Sequence, residues 1–142
     1  MYDFDPFEMD YFKSPTVFVV DKNPIHNSLI KYHLNVNKFF NVHTFPSGNE
    51  CLYKLNKQVI PDFIITDYEP GDNSGFEFLQ SVRELSSKIQ IVFFSSYDDP
   101  ILADRLLNAG ATDYVVKTNR LEIGITELIK NVKFLVKEEI RF

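Results

Sequence analysis

The stretch FIITDYEPGDNSG, residues 63–75, sets a single carboxylate, Asp67, at the end of an apolar run. That run is too short for a buried helix, which takes about ten residues or more, and reads instead as a buried strand. An acid just past a hidden strand is ordinary taken alone, because Asp is a common turn former. Its meaning depends on which other residues the fold brings to the same end of the same sheet.

Four further β-type runs lie on either side: TVFVV (16–20), FFNVHTF (39–45), IQIVFFS (89–95) and TDYVV (112–116), with the opening run extended to DFIIT (62–66). Most are rich in Val, Ile and Phe and bounded by turn residues; FFNVHTF is more polar, as suits an edge strand. Helical patterns alternate with them. Asn23 and Pro24 read as N-cap and first helical residue, ahead of Ile25, Leu29 and either Tyr32 or His33 at helical spacing. Ser47 with Glu50 three residues on is a capping box before Cys51, Leu52 and Leu55. Gly75 opens a segment with Phe76, Leu79 and Val82 on one face. Asp99 and Pro100 repeat the cap signature, and Gly110 is placed to end the helix that they start. A last helix is expected from about Arg120 to Glu139, its buried stripe running through Leu121, Ile125, Leu128, Val132 and Leu135.

Alternating strands and helices with short connections imply right-handed crossovers and a parallel sheet covered on both faces, an α/β sandwich of five βα units. Ligands of such sheets collect beyond the carboxyl ends of the strands, where strand order reverses. At 142 residues the chain suits one domain, with residues 1–14 outside the plan and residues 15–142 within it. The leading segment holds Asp3, Asp5, Glu8 and Asp10 among Tyr2, Phe4, Phe7, Tyr11 and Phe12, with no base before Lys13. It reads either as a frayed tail or, given its aromatics, as a segment that docks on this domain or a partner.

Composition narrows the function. No apolar stretch approaches the roughly 18 residues of a membrane span, and the N-terminus does not read as a secretory signal, so a soluble cytoplasmic protein is expected. Fifteen basic residues against twenty acidic ones give a net charge of −5, without a cationic stripe to track phosphates, so direct nucleic-acid binding is not expected. Lys130, Lys133, Lys137 and Arg141, accompanied by Glu138 and Glu139, read as a solvated helix face. The lone Cys51 excludes an internal disulfide and reads as packing. His26, His33 and His43 lack the carboxylate or cysteine spacing of a metal site and read as surface or half-buried.

The residues just past the central strands answer the question that Asp67 raises. Asp21 ends the first, Asp67 the third, Ser95 and Ser96 the fourth and Lys117 the fifth. On one rim, two carboxylates, a hydroxyl and an ammonium make a phosphoryl site: an oxygen nucleophile, a donor for phosphoryl oxygens and a cation for their charge.

At these residues the chain resembles the response-regulator receiver domain. The matching pieces are VFVVDKNP, PDFIITDYEP with Gly75 eight residues after Asp67, IVFFSS and GATDYVVK, in order over residues 16–139. The resemblance implies a flavodoxin-like doubly wound parallel sheet of order 2-1-3-4-5. It implies that Asp67 accepts a phosphoryl group from a phosphohistidine on a sensor histidine kinase or histidine phosphotransfer protein. Lys117 and Ser95 would hold the phosphoryl group, and Asp21 with Asp67 would bind Mg²⁺. Tyr114 matches the aromatic switch partner of Ser95. The product would be a single-domain phosphoacceptor protein rather than an enzyme, one that assists its own phosphorylation and dephosphorylation. It would signal to a downstream protein through the fourth helix, fifth strand and fifth helix, where a second copy could also dock, with Ile123 and Phe134 off the buried stripe.

The chain departs from that pattern in places. Lys22 stands where receivers carry a second, metal-binding acid, which takes the formal charge of the acidic cluster from −3 to −1 and puts Mg²⁺ binding in question. At an effective dielectric of about 20, one unit-charge interaction at ~4 Å is worth about 4 kcal/mol, so a lysine held close would weaken a metal severely. Glu69 could lean in as a substitute, the Lys22 ammonium could take the metal's place, or Lys22 could point to solvent. Pro70 falls three residues after Asp67 rather than four. Thr118 follows Lys117 where receivers usually have a proline, so a trans bond and a shifted approach of Lys117 are expected. Two readings compete with the phosphoacceptor: a phosphorylation-independent receiver-like adaptor, favoured by Lys22, and an aspartyl-nucleophile phosphatase with Glu69 as its acid and base, for which no cap domain is present. A flavodoxin is weaker still, because DKNPIHN lacks a loop to cradle a flavin phosphate.

Overall fold

The structure, a computed structural model, describes residues 14–57, 59–69 and 74–140, with side chains to 137. The expectations for residues 1–13, Pro70, Arg141 and the side chains of Glu138 and Glu139 lie outside the described residues. The chain alternates β1 (Thr16–Val20), α1 (Pro24–Val36), β2 (Asn41–Phe45), α2 (Gly48–Asn56), β3 (Phe63–Thr66), α3 (Gly75–Leu85), β4 (Gln90–Ser95), α4 (Pro100–Asn108), β5 (Asp113–Val116) and α5 (Leu121–Ile140). All neighbouring strands are parallel, in the order β2-β1-β3-β4-β5. No helix among the described residues is long and apolar enough to cross a membrane.

Alternation along the strands builds two cores. Val17 and Val19 face α1 and α5 with Ile65, Phe94, Ile125, Leu128 and Val132. Phe18 and Val20 face α2, α3 and α4 with Ile64, Phe93, Cys51, Phe78 and Leu106. Because β1, β3 and β4 are covered on both sides, almost every residue in them is apolar, and each fully buried side chain contributes about 1.5–3 kcal/mol. Cys51 is fully buried in the second core, and burial pushes its thiol up to about 12, as its packing role requires.

The helix starts follow the sequence signals. Asn23 and Asp99 accept from the amides two and three residues on, each ahead of a proline, and Ser47 accepts from the Glu50 amide. Ser74 and Glu77 form a full capping box that the sequence reading passed over. Gly110, with φ of 115°, turns the chain out of α4.

Two expectations need correction. The buried face of α1 is Asn27, Ile30 and Leu34, whereas Ile25 and Tyr32 are exposed. Leu29 packs partly buried against the same core, so the helical period holds and the stripe fails at Ile25 and Tyr32, because a polar residue, Asn27, fills a sheet-facing position. The Asn27 amide donates to the carbonyls of Asp21 (2.8 Å) and Phe45 (3.1 Å), satisfying two strand ends at once. The second strand begins at Asn41 rather than residue 39, because residues 37–39 close α1. Lys38 takes φ of 72°, its amide donates to Asn35 and that of Phe39 to Leu34, a Schellman ending built on lysine.

Gly75 sits where α3 passes closest to the residue after Asp67. A β-carbon there would lie 2.5 Å from the Tyr68 ring and 2.7 Å from its carbonyl oxygen. Gly75→Ala is therefore expected to displace the Asp67–Tyr68 backbone and to cost about 1–3 kcal/mol, as overpacking does, read from urea unfolding midpoints.

Candidate functional site

The parallel register brings the carboxyl ends of β1, β3, β4 and β5 to one rim. Asp21 follows β1 and is almost fully buried. Its backbone amide donates to Phe45 and its Oδ1 accepts from the Asn23 amide at 2.9 Å, so the carboxylate is fixed from both sides. Lys117, just past β5, crosses over the ends of β4 and β3 to reach it. Its Nζ donates to Asp21 Oδ2 at 2.6 Å and lies 3.9 Å from Asp67 Oδ2, with side chains only 6% and 3% exposed for Lys117 and Asp21. The stem passes the Phe94 ring, with Nζ 5.6 Å from its centroid. Asp67, the half-buried member, accepts from the Tyr68 amide at 2.8 Å. One ammonium thus serves two carboxylates and stands closer to the first.

Burial raises the Asp67 carboxyl above its ordinary value and the neighbouring Asp21 carboxylate adds to this, while Lys117, the Tyr68 amide and Lys22 pull the other way. Such a carboxylate is under-neutralised, as suits a group that reacts rather than one that holds the fold.

Ser95 ends β4, fully buried, and its Oγ accepts from the Tyr97 amide at 3.2 Å. Tyr114 on β5 stacks on Phe93 and donates its hydroxyl to the Tyr97 carbonyl at 2.6 Å. Burial raises its phenol above the ordinary value. Glu69 is exposed and accepts from the Tyr97 hydroxyl at 2.6 Å, an arrangement that raises the Tyr97 phenol in turn. Tyr97, which the sequence reading did not single out, therefore meets three expected site residues: Ser95 through its amide, Tyr114 through its carbonyl and Glu69 through its phenol. Its position two residues after Ser95 was the available signal.

Lys22 is exposed, and its charge reaches Asp67 as the weakest of the influences on that carboxyl. Thr118 is exposed and donates its hydroxyl to the Arg120 carbonyl. Every peptide bond among the described residues is trans. His26, expected at the surface or half-buried, is half-buried in the first turn of α1 with Nδ1 3.7 Å from Asp21 Oδ2.

The structure therefore gathers Asp21, Asp67 and Lys117 around one ammonium, with Ser95 and Tyr114 joined beside them through Tyr97 and with Glu69 and Lys22 outside. Among the described residues no three His, Cys, Asp or Glu side chains converge to hold a metal. Receiver domains generally bind Mg²⁺ at an acidic pocket; here two carboxylates share an ammonium, the position of the usual second acid is a lysine and Glu69 is engaged with Tyr97. The residues present do not fit the usual metal set.

A doubly wound, flavodoxin-like α/β domain with an acid and lysine pocket at its strand ends defines the class. The family model described as the response regulator receiver domain matches residues 17–132. The two-component response regulator ORR11 of rice (Oryza sativa subsp. indica) is 34% identical over 108 residues, covering 75% of this chain and 73% of the relative. ORR3 from the same source is 32% identical over 108 residues, 75% of this chain and 82% of the relative. Among solved structures, the chemotaxis response regulator CheY4 of Vibrio cholerae superposes with a TM-score of 0.71 at 25% identity, covering 82% of this chain and 97% of its own. The Francisella response regulator 1452 receiver domain gives 0.74 at 25% identity, covering 88% and 98%. The chain belongs to the response regulator receiver domain family, whose members interact with histidine kinases or phosphotransfer proteins.

Two stability measurements follow from the pocket. Removing the cation by Lys117→Met leaves Asp21 buried without its partner and is expected to cost about 3 kcal/mol, part of which Asp21→Asn restores in the same chain. The fold holds the Asp67 proton more tightly than the unfolded chain does, so the contribution of this carboxyl is greatest below the ordinary value of 3.8 and falls as pH rises through the raised one. Asp67→Asn is thus expected to be more stable than the parent at neutral pH. The gap should close as pH falls into the ordinary carboxylate range, read from urea midpoints across pH.

Proposed function

We propose that the chain is a phosphoacceptor of a two-component phosphorelay, modified on Asp67 and signalling through protein contacts rather than turning over a free substrate. The observation that carries this reading is the Lys117 ammonium, 2.6 Å from Asp21 and 3.9 Å from Asp67. It is a resident cation beside the more reactive of two carboxylates. An Asp67 oxygen attacks the phosphorus of a phosphohistidine on a histidine kinase or phosphotransfer protein. The new O–P bond forms as the P–N bond breaks, and the departing imidazole nitrogen takes a proton from water. A carboxylate and an anionic donor repel until a cation stands between them, and Lys117 supplies one without an added metal.

Once formed, the acyl phosphate offers acceptor oxygens to Lys117 and Ser95. Ser95 Oγ then has a second partner besides the Tyr97 amide, and the Tyr97 peptide also receives the Tyr114 hydroxyl. A shift of that one peptide reaches β5 and the α4–β5–α5 face, where a downstream protein would read the change. A soluble, cytoplasmic setting accords with this reading.

Incubation with a phosphorylated histidine phosphotransfer protein should label the chain at Asp67 with phosphate that alkali and hydroxylamine release, and Asp67→Asn should abolish the label. No label on the chain, while a control receiver is modified, would instead support a phosphorylation-independent adaptor, the reading that Lys22 favours. A companion variant addresses the departure itself. Lys22→Asp exchanges a repelling charge for a ligand, so its Mg²⁺ affinity should exceed that of the parent by at least about tenfold, in line with the ~4 kcal/mol scale of one close charge interaction.

A further inference from the structure

A groove of about 480 Å³ opens between α1 and α5, far from the Asp67 pocket. α1 runs antiparallel to the strands, so His33 and Asn37, which line the groove, lie near the amino ends of the strands. Lys130, Lys133 and Lys137 line the facing side, along one face of α5. None of these three ammoniums has an ion-pair partner among the described residues, and no described acid lines the groove. Between them stands Phe134, 61% exposed although aromatic. A cationic rim around an exposed ring calls for an occupant that is both acidic and aromatic.

The sequence contains such a segment. Residues 1–13 hold Asp3, Asp5, Glu8 and Asp10 with no base before Lys13, interleaved with Tyr2, Phe4, Phe7, Tyr11 and Phe12. They join the described chain at Ser14, two residues before β1. Thr16, the first residue of β1, is paired with Asn41 and accepts from its side-chain amide at 2.7 Å, four residues beyond Asn37 of the groove. The segment thus leaves the domain at the groove's end of the sheet, and thirteen extended residues reach on the order of 40 Å, more than enough to lie along it.

We infer that the α1–α5 groove is a docking surface for the chain's own N-terminal segment, its carboxylates meeting Lys130, Lys133 and Lys137 and its rings packing on Phe134. Tethering makes this economical. A short flexible link gives an effective concentration of about millimolar, so a contact with an intrinsic Kd of ~0.1 mM is occupied about ten to one. The inference is independent of the chemistry at Asp67.

The test uses the full chain. Chymotrypsin cleavage after the aromatics of residues 1–13 should be about tenfold faster in the triple variant Lys130→Gln, Lys133→Gln, Lys137→Gln than in the parent, the tail sequence being identical in both. Equal cleavage rates would overturn the inference. A second readout leaves the groove cations in place. The sequence has no tryptophan, so Phe134→Trp introduces a single indole. Its emission should move to longer wavelength when Asp3→Asn, Asp5→Asn, Glu8→Gln and Asp10→Asn neutralise the segment. An unchanged spectrum would count against docking. Protection that rises with protein concentration, together with a doubled mass in light scattering, would assign the groove to a second copy and overturn the intramolecular reading.

Discussion

The site is organised by one buried ion pair joining strands that are not neighbours. Lys117 follows β5, Asp21 follows β1, and β3 and β4 lie between them. The lysine stem therefore lies over the rim where β3 and β4 end, and its ammonium stops beside Asp67. A buried pair of this kind adds little net stability, because the desolvation of two charges offsets most of their attraction. What it gives is position. With both partners almost inaccessible to water, the ammonium has few other places to go, and the level of β5 relative to β1 is held at the end where chemistry is placed.

That arrangement explains how Lys22 is tolerated. In a pocket of three acids one lysine leaves most of the negative charge unmatched. In this one Asp21 is already matched by Lys117, and Asp67, 3.9 Å from the same ammonium, is left with part of its charge unmet. Lys22, held exposed, adds a weak long-range attraction for Asp67 rather than a contact. With Lys22 at the position of the usual second acid, the pocket keeps two acids and Lys117, with one fewer negative charge to compensate. Glu69 has another use, as acceptor for the Tyr97 phenol.

The fold was legible because its signals are local. Proline after Asn23 and after Asp99 fixes two helix starts, and apolar runs ending in Asp21, Asp67, Ser95 and Lys117 mark buried parallel strands by themselves. Misreadings arose where a residue contradicts its average behaviour. Asn27 occupies a core-facing position because two strand-end carbonyls need its amide, a demand that no apolar pattern records. Lys38 ends α1 in a conformation usually given to glycine, so residues 39 and 40, which read as strand, come before β2. At the site, the residue types were readable, but which carboxylate holds the lysine was not, since 2.6 Å against 3.9 Å depends on the path of one side chain over two strands.

Tyr97 illustrates the limit most clearly, because it matters through its peptide more than through its side chain. Its N–H binds Ser95 and its carbonyl binds Tyr114, so one backbone unit is shared between the buried hydroxyl that ends β4 and the aromatic residue of the last strand. Any residue could supply that peptide, so its place two residues after Ser95, and not its type, is what marks it in the sequence. The phenol adds what is particular to tyrosine, a hydrogen bond to Glu69 and an edge-on contact of 5.6 Å with the Tyr68 ring. Tyr68 follows Asp67 directly and donates its amide to that carboxylate. The loops after β3 and β4 are thus fastened to each other at the ring and phenol level and to β5 at the peptide level. A new negative charge on Asp67 would meet a connected structure, in which moving the Ser95 partner also strains the Tyr114 contact.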